Sequence, residues 1–380
     1  MQVLEPEKLA ILRLMQSEKI GPITFWNLIK LYGSAIAAIH HIQQFASYNS
    51  KNGSRYYKVC DAKDVTKIVD NIREIGGECI WHSDENFPSL LRGMPDCPPI
   101  LYTKHPAGLL KKLNESLILS VVGTRAASLN GQKLIYQWCQ QLATEGVVIV
   151  SGLARGIDTA AHKGAIGTGL TVCILPCGID EPYPPENVEL YDNILHRGIA
   201  IAEHPCGTPL HAQRFPQRNR IIAGIAHGTL VIEASKKSGS LITANYAVDY
   251  GRDVMAVPGF PGDLRSYGTN WLIKQGACLV DSVEDVIDAL KHNTKIKDID
   301  YRNSIQDTAY LSTEPSVNEI LEMREQLMQL LSPAPLLISD IIEHLSANPR
   351  TVMTAIVQLQ LLGYLTYCGF AAVAKIIQDE

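Results

Sequence analysis

Between Ser116 and about Leu290, short β-branched runs alternate with stretches of helical period, and this alternation limits the fold more than any other feature of the chain. The runs are Leu117–Val122, Val147–Val150, Leu170–Leu175, Ile199–Ala202, Leu230–Glu233 and Val254–Val257, with helices fitting between them, as at Leu129–Glu145 and Asp158–Ile166. Such alternation predicts an α/β fold, a parallel sheet with helices on both faces. Ligands of these sheets sit beyond the carboxyl ends of the strands, so function is sought in the loops that leave those ends.

The flanks follow other periods. Leu9, Leu12 and Met15, then Phe25, Leu28, Ile29 and Tyr32, recur at helical spacing, so Glu7 to about Ile42 reads as two short helices joined at Ile20-Gly21-Pro22. A turn of this kind either approaches a nucleic-acid backbone or closes a packed helical hairpin. Met94-Pro95-Asp96-Cys97-Pro98-Pro99 cannot be helical and reads as a connector. Residues 291–317 are polar and aperiodic, a linker. Beyond them, helices are predicted near Glu319–Leu330, Ser339–Leu345 and Pro349–Leu362, the last with Asn348 as N-cap. Tyr364–Tyr367, a Cys368-Gly369 turn and Phe370–Val373 then form a β-hairpin, and three helices with a hairpin suggest a winged helix. The expected division is 1–95, helical with a connector; 96–290, the α/β domain; 291–317, the linker; and 318–380, the winged helix.

Composition narrows the functional class. The 380 residues are 46% hydrophobic and 19% charged, a globular mix rather than a disordered or fibrous one. No apolar run approaches the roughly 18 residues of a membrane span, and Glu5, Glu7 and Lys8 leave no signal-peptide core at the start. The nine cysteines contain no CxxC pair, only the CxxxC of Cys173 and Cys177. Free thiols in a reducing cytoplasm are expected, without a metal site. A net charge of −5 speaks against a broad basic face for duplex DNA but leaves room for a small basic pocket.

Five segments at the strand ends carry candidate chemistry. In Val122-Gly123-Thr124-Arg125, backbone N–H groups and a guanidinium suit a phosphate, although a plain strand-to-helix turn has the same look. In Ser151-Gly152-Leu153-Ala154-Arg155-Gly156-Ile157-Asp158, two glycines four apart allow close backbone approach at a helix start; Lys and Ser/Thr do not follow, so it is not a Walker loop. His162, one turn beyond Asp158, reads as its structural partner rather than a metal or acid–base pair. Pro176–Asp180 with Tyr183-Pro184 forms a rigid wall, its acids unsuited to phosphate. Arg214-Phe215-Pro216-Gln217-Arg218-Asn219-Arg220, read as a loop, sets three arginines around an aromatic ring in an acid-free stretch between Glu203 and Glu233. Arginines neutralise phosphates while a ring stacks a base; alternatively they clamp Glu203 and Glu233, as at least one is expected to do. Lys236-Lys237-Ser238-Gly239-Ser240 opens another helix and also suits phosphate.

Taken in order, these motifs resemble the DNA-processing protein A family (DprA, also called Smf). The resemblance runs from about Leu117 to Asp281. It adds to the segments above Ala161-His162, Gly178–Asp180, Leu241-Ile242-Thr243-Ala244, Gly251-Arg252-Asp253-Val254, Pro258-Gly259 and Lys274-Gln275-Gly276-Ala277. Thr124 stands where the pattern has Ser, which keeps the hydroxyl. The resemblance implies an extended Rossmann-like central domain without nucleotide chemistry, a SAM-like helical N-terminal domain and a C-terminal winged helix. It implies a homodimer that binds single-stranded DNA and loads the RecA recombinase onto it in natural transformation and recombination. Arg125, Phe215, Arg218, Asn219 and Arg220 would line the DNA pocket, with Lys236 or Lys237 at its rim.

The candidate DNA-binding set is therefore Gly123, Thr124, Arg125, Ser151, Gly152, Phe215, Arg218, Asn219, Arg220, Lys236, Lys237, Ser238 and Gly239. No catalytic residue, metal ligand or cofactor is expected. Two other functions stay open. The phosphate-friendly loops would also serve a nucleotide-binding protein or an N-glycosidic hydrolase, though no acid or base with a partner can be assembled from the sequence. A duplex-specific regulator using the winged helix is opposed by charge, since Glu319 to Glu380 holds seven acids and three bases; protein contact or dimer support is the preferred role of that segment.

Overall fold

The structure, a computed structural model, describes residues 4–51, 58–297, 315–369 and 371–376. In chain order, α1 (Pro6–Met15), α2 (Pro22–Tyr32), α3 (Ala35–Lys51) and α4 (Ala62–Glu74) precede β1 (Glu78–Trp81) and β2 (Ile100–Lys104). Next come α5 (Leu109–Asn114), β3 (Ile118–Gly123), α6 (Leu129–Thr144), β4 (Val148–Ser151), α7 (Ile157–Ala165), β5 (Thr171–Leu175), α8 (Val188–Arg197) and β6 (Ile199–Ala202). They are followed by α9 (Arg214–Gly224), β7 (Gly228–Ile232), α10 (Gly239–Asp249), β8 (Asp253–Ala256), α11 (Tyr267–Lys274), β9 (Cys278–Leu279) and α12 (Val283–Lys297). The last elements are α13 (Val317–Leu330), β10 (Leu336–Leu337), α14 (Ile338–Leu345), α15 (Pro349–Leu362), β11 (Leu365–Tyr367) and β12 (Ala372–Lys375).

The described residues fall into two compact units. The larger, whose described residues are 68–94 and 100–297, carries a nine-stranded sheet in the order β1-β2-β6-β5-β4-β3-β7-β8-β9. All six runs expected to be strands are present, as β3 to β8. From β6 through β9 every pairing is parallel, the Rossmann-like arrangement. The edge departs from the all-parallel expectation, because β1 pairs with β2 and β2 with β6 in antiparallel register. β2 follows two prolines and β1 spans four residues, so neither shows a period long enough to read. Ile135, Trp138 and Leu142 of α6, Ile157 and Ala161 of α7, and Val286 and Leu290 of α12 share a core with Leu119, Val121, Ile149, Leu230 and Met255 of the sheet. Burying each large side chain of this kind contributes about 1.5–3 kcal/mol.

The smaller unit, whose described residues are 4–51, 58–67, 95–99, 315–369 and 371–376, brings the N-terminal and C-terminal helices into one core. Phe25, Leu28 and Leu31 of α2 belong to the same buried cluster as Leu327, Ile341, Val352, Ile356 and Leu359. Where two N-terminal helices were expected to about Ile42, there are three. Gly33 ends α2 at φ 81, its N–H donating to the Ile29 carbonyl (2.8 Å), a left-handed cap that glycine takes without steric cost. At the other end α15 starts as expected, with Pro349 in its first turn and the Asn348 side chain accepting from the Arg350 N–H (2.9 Å). Asn348→Ala is expected to cost about 1 kcal/mol, seen as a lower denaturation midpoint.

The hairpin forms as β11 and β12, the second strand shifted to Ala372–Lys375, and β10 pairs with β12 to complete a three-stranded sheet. Phe370, expected in that strand, lies outside the described residues, as does 298–314 of the expected linker; 291–297 continue α12. Among the described residues, no helix is long and apolar enough to cross a membrane.

Candidate nucleic-acid interface

β3 is where the strand order reverses: β4, β5 and β6 lie to one side and β7, β8 and β9 to the other. The crevice beyond the carboxyl ends at such a reversal is the usual ligand position in open α/β sheets. A cavity of about 410 Å³ lies there, lined by the end of β3 with Thr124 and Arg125, the first turns of α9 and α10, and Ser235 after β7. Gly123 ends β3 in register with Ile232 of β7. A Cβ at Gly123 would collide with the Ile232 carbonyl and with Ile157, so glycine is what lets β3, β7 and α7 close together.

The Arg214–Arg220 segment is the start of α9 rather than the loop expected. Pro216 is tolerated because it falls in the first turn, where the N–H has no helical partner anyway. Helical spacing then sorts the side chains. Phe215, Arg218 and Asn219, three and four residues apart, share the face on the cavity. Arg214 donates to the Pro209 carbonyl, and the buried Arg220 pairs with the partly buried Glu203. Arg220 is thus the expected clamp. Glu233, the other acid expected to clamp an arginine, instead accepts from the Ser128 N–H (2.8 Å) and the Ser128 hydroxyl at the start of α6.

Arg218 lines the cavity although only 6% of it is exposed. One guanidinium nitrogen donates to the Gly152 carbonyl (2.6 Å) and to that of Ile174, and Nε donates to Asn219 Oδ1 (3.2 Å). Burial pushes its pKa down to about 10, the Asp158 carboxylate opposing this and Arg125 adding to it, so the group is charged at neutral pH. Asp158 accepts from the N–H groups of Gly152 (3.1 Å) and Ala154 (3.2 Å). Burial raises its pKa while Arg218 pulls it back.

The anion in the Ser151–Asp158 loop is therefore its own carboxylate. Ser151 donates to the Val121 carbonyl (2.6 Å), and neither Ser151 nor Gly152 reaches the cavity. Leu153 is held at φ 58, its carbonyl accepting from Asn187 (2.8 Å). The expected Asp158–His162 contact is replaced: His162 Nδ1 lies 2.7 Å from the Thr171 hydroxyl of β5, because Asp158 turns back to its own loop. Burial and the Arg218 charge push His162 down to about 3, leaving it neutral.

Arg125 is exposed, its guanidinium 5.1 Å from the centre of the Phe215 ring, and the Tyr183 ring meets Phe215 edge-on at 5.8 Å. Such a cation over a ring face is attracted by about 0.5–1 kcal/mol when exposed. Ser238 caps α10 and Gly239 begins it. Gly123, Thr124, Arg125, Phe215, Arg218, Asn219, Ser238 and Gly239 are thus brought together at the cavity. Ser151, Gly152, Arg220, Lys236 and Lys237 are not; Lys236 lies over the Tyr267 ring at 5.5 Å, and Lys237 is exposed. Sequence reasoning missed Ile242 and Thr243 as lining residues; their position one turn after Gly239 was the available signal. It also missed Asp158 as a lining residue and Tyr183 as a neighbour of Phe215.

Two arginines against one carboxylate, with the N-termini of α9 and α10 adding partial positive charge, make the cavity an anion site with an aromatic wall. Among the described residues, no cluster of His, Cys, Asp or Glu suits a metal ion.

Residues 78–291 match the family described as DNA recombination-mediator protein A, and residues 5–68 match a DprA-like N-terminal HHH domain. Protein Smf of Escherichia coli is 43% identical over 209 residues, which cover 54% of this chain and 55% of that protein, so the match spans about half the length of this relative. The X-ray structure of DNA processing protein A from Streptococcus pneumoniae superposes with a TM-score of 0.62 at 32% identity, covering 75% of this chain and 98% of that one. The Helicobacter pylori protein, solved for its single-stranded DNA binding mode, gives 0.52 at 27% identity, covering 57% and 96%.

Proposed function

The chain belongs to the DNA recombination-mediator protein A family, and on that premise we propose that it binds single-stranded DNA at the β3–β7 cavity and hands the strand to the RecA recombinase in natural transformation and recombination. The observation that carries this reading is the Arg125 guanidinium over Phe215 beside the buried Arg218 charge. A ring stacks a base whatever its identity while the cations hold phosphates, the means by which single strands are bound without sequence preference. A duplex keeps its bases stacked inside, out of reach of such a ring. Single-stranded DNA is also what the H. pylori relative binds.

The protein acts as a binder, not an enzyme. Asp158, the carboxylate at the cavity, is held by two amides and faces a buried arginine, which leaves it no role as a general base. Exposed Phe260, Leu264, Tyr267 and Trp271 support the homodimer that the family resemblance implies, since apolar patches of this kind mark contact surfaces. The cytoplasm is its place of action.

The test is a mobility-shift titration with single- and double-stranded oligonucleotides at two salt concentrations. Single strands are expected to bind more tightly, with affinity falling steeply with salt. Arg125→Ala is expected to weaken single-strand binding and to lower the salt dependence by about one counterion. Unchanged binding by that variant, or a preference of the parent for duplex, would overturn the proposal.

A further inference from the structure

Two elements of the smaller unit are of kinds that meet nucleic acid elsewhere: the turn between α1 and α2, and α15, which as the second helix of a helix–turn–helix would enter a DNA groove. Here they are occupied by each other. The turn holds Lys19 at φ 62; its carbonyl accepts from Gln360 Nε2 (2.8 Å), and its ammonium donates to the Leu361 carbonyl (3.2 Å) at the end of α15. Thr24 of α2 donates to Gln360 Oε1 (2.9 Å). Arg350, the one basic residue of α15, donates to the Leu31 carbonyl of α2 (3.1 Å). Of the helix's fourteen residues ten are buried, Thr351 and Thr354 among them, which leaves little polar face for a groove.

We propose that α15 has the N-terminal helical hairpin of this same chain as its binding partner, so that the C-terminal segment clasps the two chain ends together and does not read duplex DNA. The recognition surface is apolar and already filled, with Val352, Ile356 and Leu359 in one core with Phe25, Leu28 and Leu31. The segment's charge agrees, since seven acids against three bases from Glu319 to Glu380 repel phosphate. Its partner is thus a helical hairpin that supplies carbonyls and apolar side chains, not a polyanion.

Hydrogen exchange on the full-length chain tests this. Residues that share a core open together. Phe25→Ala is expected to speed exchange in α2 and α15 alike while the β3–β7 strands keep their protection. α15 exchanging at the parent's rate would overturn the clasp. Should Phe25→Ala unfold the whole chain, Thr24→Val, which removes only the hydroxyl donor, is read instead and is expected to speed exchange over residues 356–362; no change there would overturn it equally. The second arm is Arg350→Ala in a duplex titration. Duplex affinity within twofold of the parent is expected, and a loss of tenfold or more would make α15 a DNA reader.

Discussion

Arg218→Ala is expected to destabilise the larger unit by about 3–5 kcal/mol, the cost typical of removing one partner from a buried charge pair. The side chain is buried and ties three parts of the fold, donating from α9 to the carbonyls of Gly152, after β4, and Ile174, in β5. Without it both carbonyls lose a donor and Asp158 keeps a buried carboxylate with no cation beside it. The deficit should depend on pH. Burial already raises Asp158 above its usual value, and Arg218 opposes that rise. In the variant the carboxyl titrates higher still, so the folded form takes up its proton before the unfolded chain does. The charge penalty is therefore present above that raised pKa and relieved as pH falls through it. Denaturant unfolding at pH 7 and pH 5 should show the gap between parent and variant narrowing at the lower pH. A gap below 1 kcal/mol, or one that widens with acid, would mean that Arg218 is not the tie described. Arg218→Lys is expected to recover little, because lysine lacks the Nε–H that reaches Asn219 and its ammonium, more strongly hydrated than a guanidinium, loses its charge readily when buried.

Phe215→Ala is expected to leave the fold intact and to weaken single-strand binding by about 1–3 kcal/mol, roughly 5- to 150-fold. The ring is half-buried, near the Arg125 guanidinium and the Tyr183 ring, and lines the cavity from α9. Its loss removes the one aromatic surface among the lining residues while the buried arginines of α9 stay in place. The defect should therefore appear as lower affinity with the salt dependence almost unchanged, opposite to the pattern for Arg125→Ala, because stacking releases no counterions. Fluorescence-anisotropy titrations of both variants at two salt concentrations separate the two roles. Parent-like affinity in Phe215→Ala would remove the stacking platform from the proposed interface.

Much of the site was legible in the chain because strand–helix alternation places every strand-end loop on one edge of the sheet, and Gly123, Arg125, Phe215 and Gly239 each stood in such a segment. The division of labour among the basic residues was not legible. Arg218 and Arg220 differ by two positions, which on a helix means about 200° of rotation, so one turns to the cavity and the other to Glu203. Reading that segment as a loop hid the rotation. Ser151 and Gly152 have the composition of an anion cradle, but whether the anion is a ligand or Asp158 depends on how the loop folds back on itself. His162 likewise had a partner one turn away in sequence and took another across the sheet.

Local chemistry was enough to establish the parallel α/β centre, the cap of Asn348 and the family, because each rests on residues close together in the chain. Pairing across long separations needed the folded molecule. The antiparallel edge of β1 and β2, the tie from Arg218 to the ends of β4 and β5, and the common core of α2 and α15 join residues tens to hundreds of positions apart. No period or spacing encodes such contacts, since a buried apolar face or a buried cation specifies only that it must be covered or paired, not which distant segment will do it.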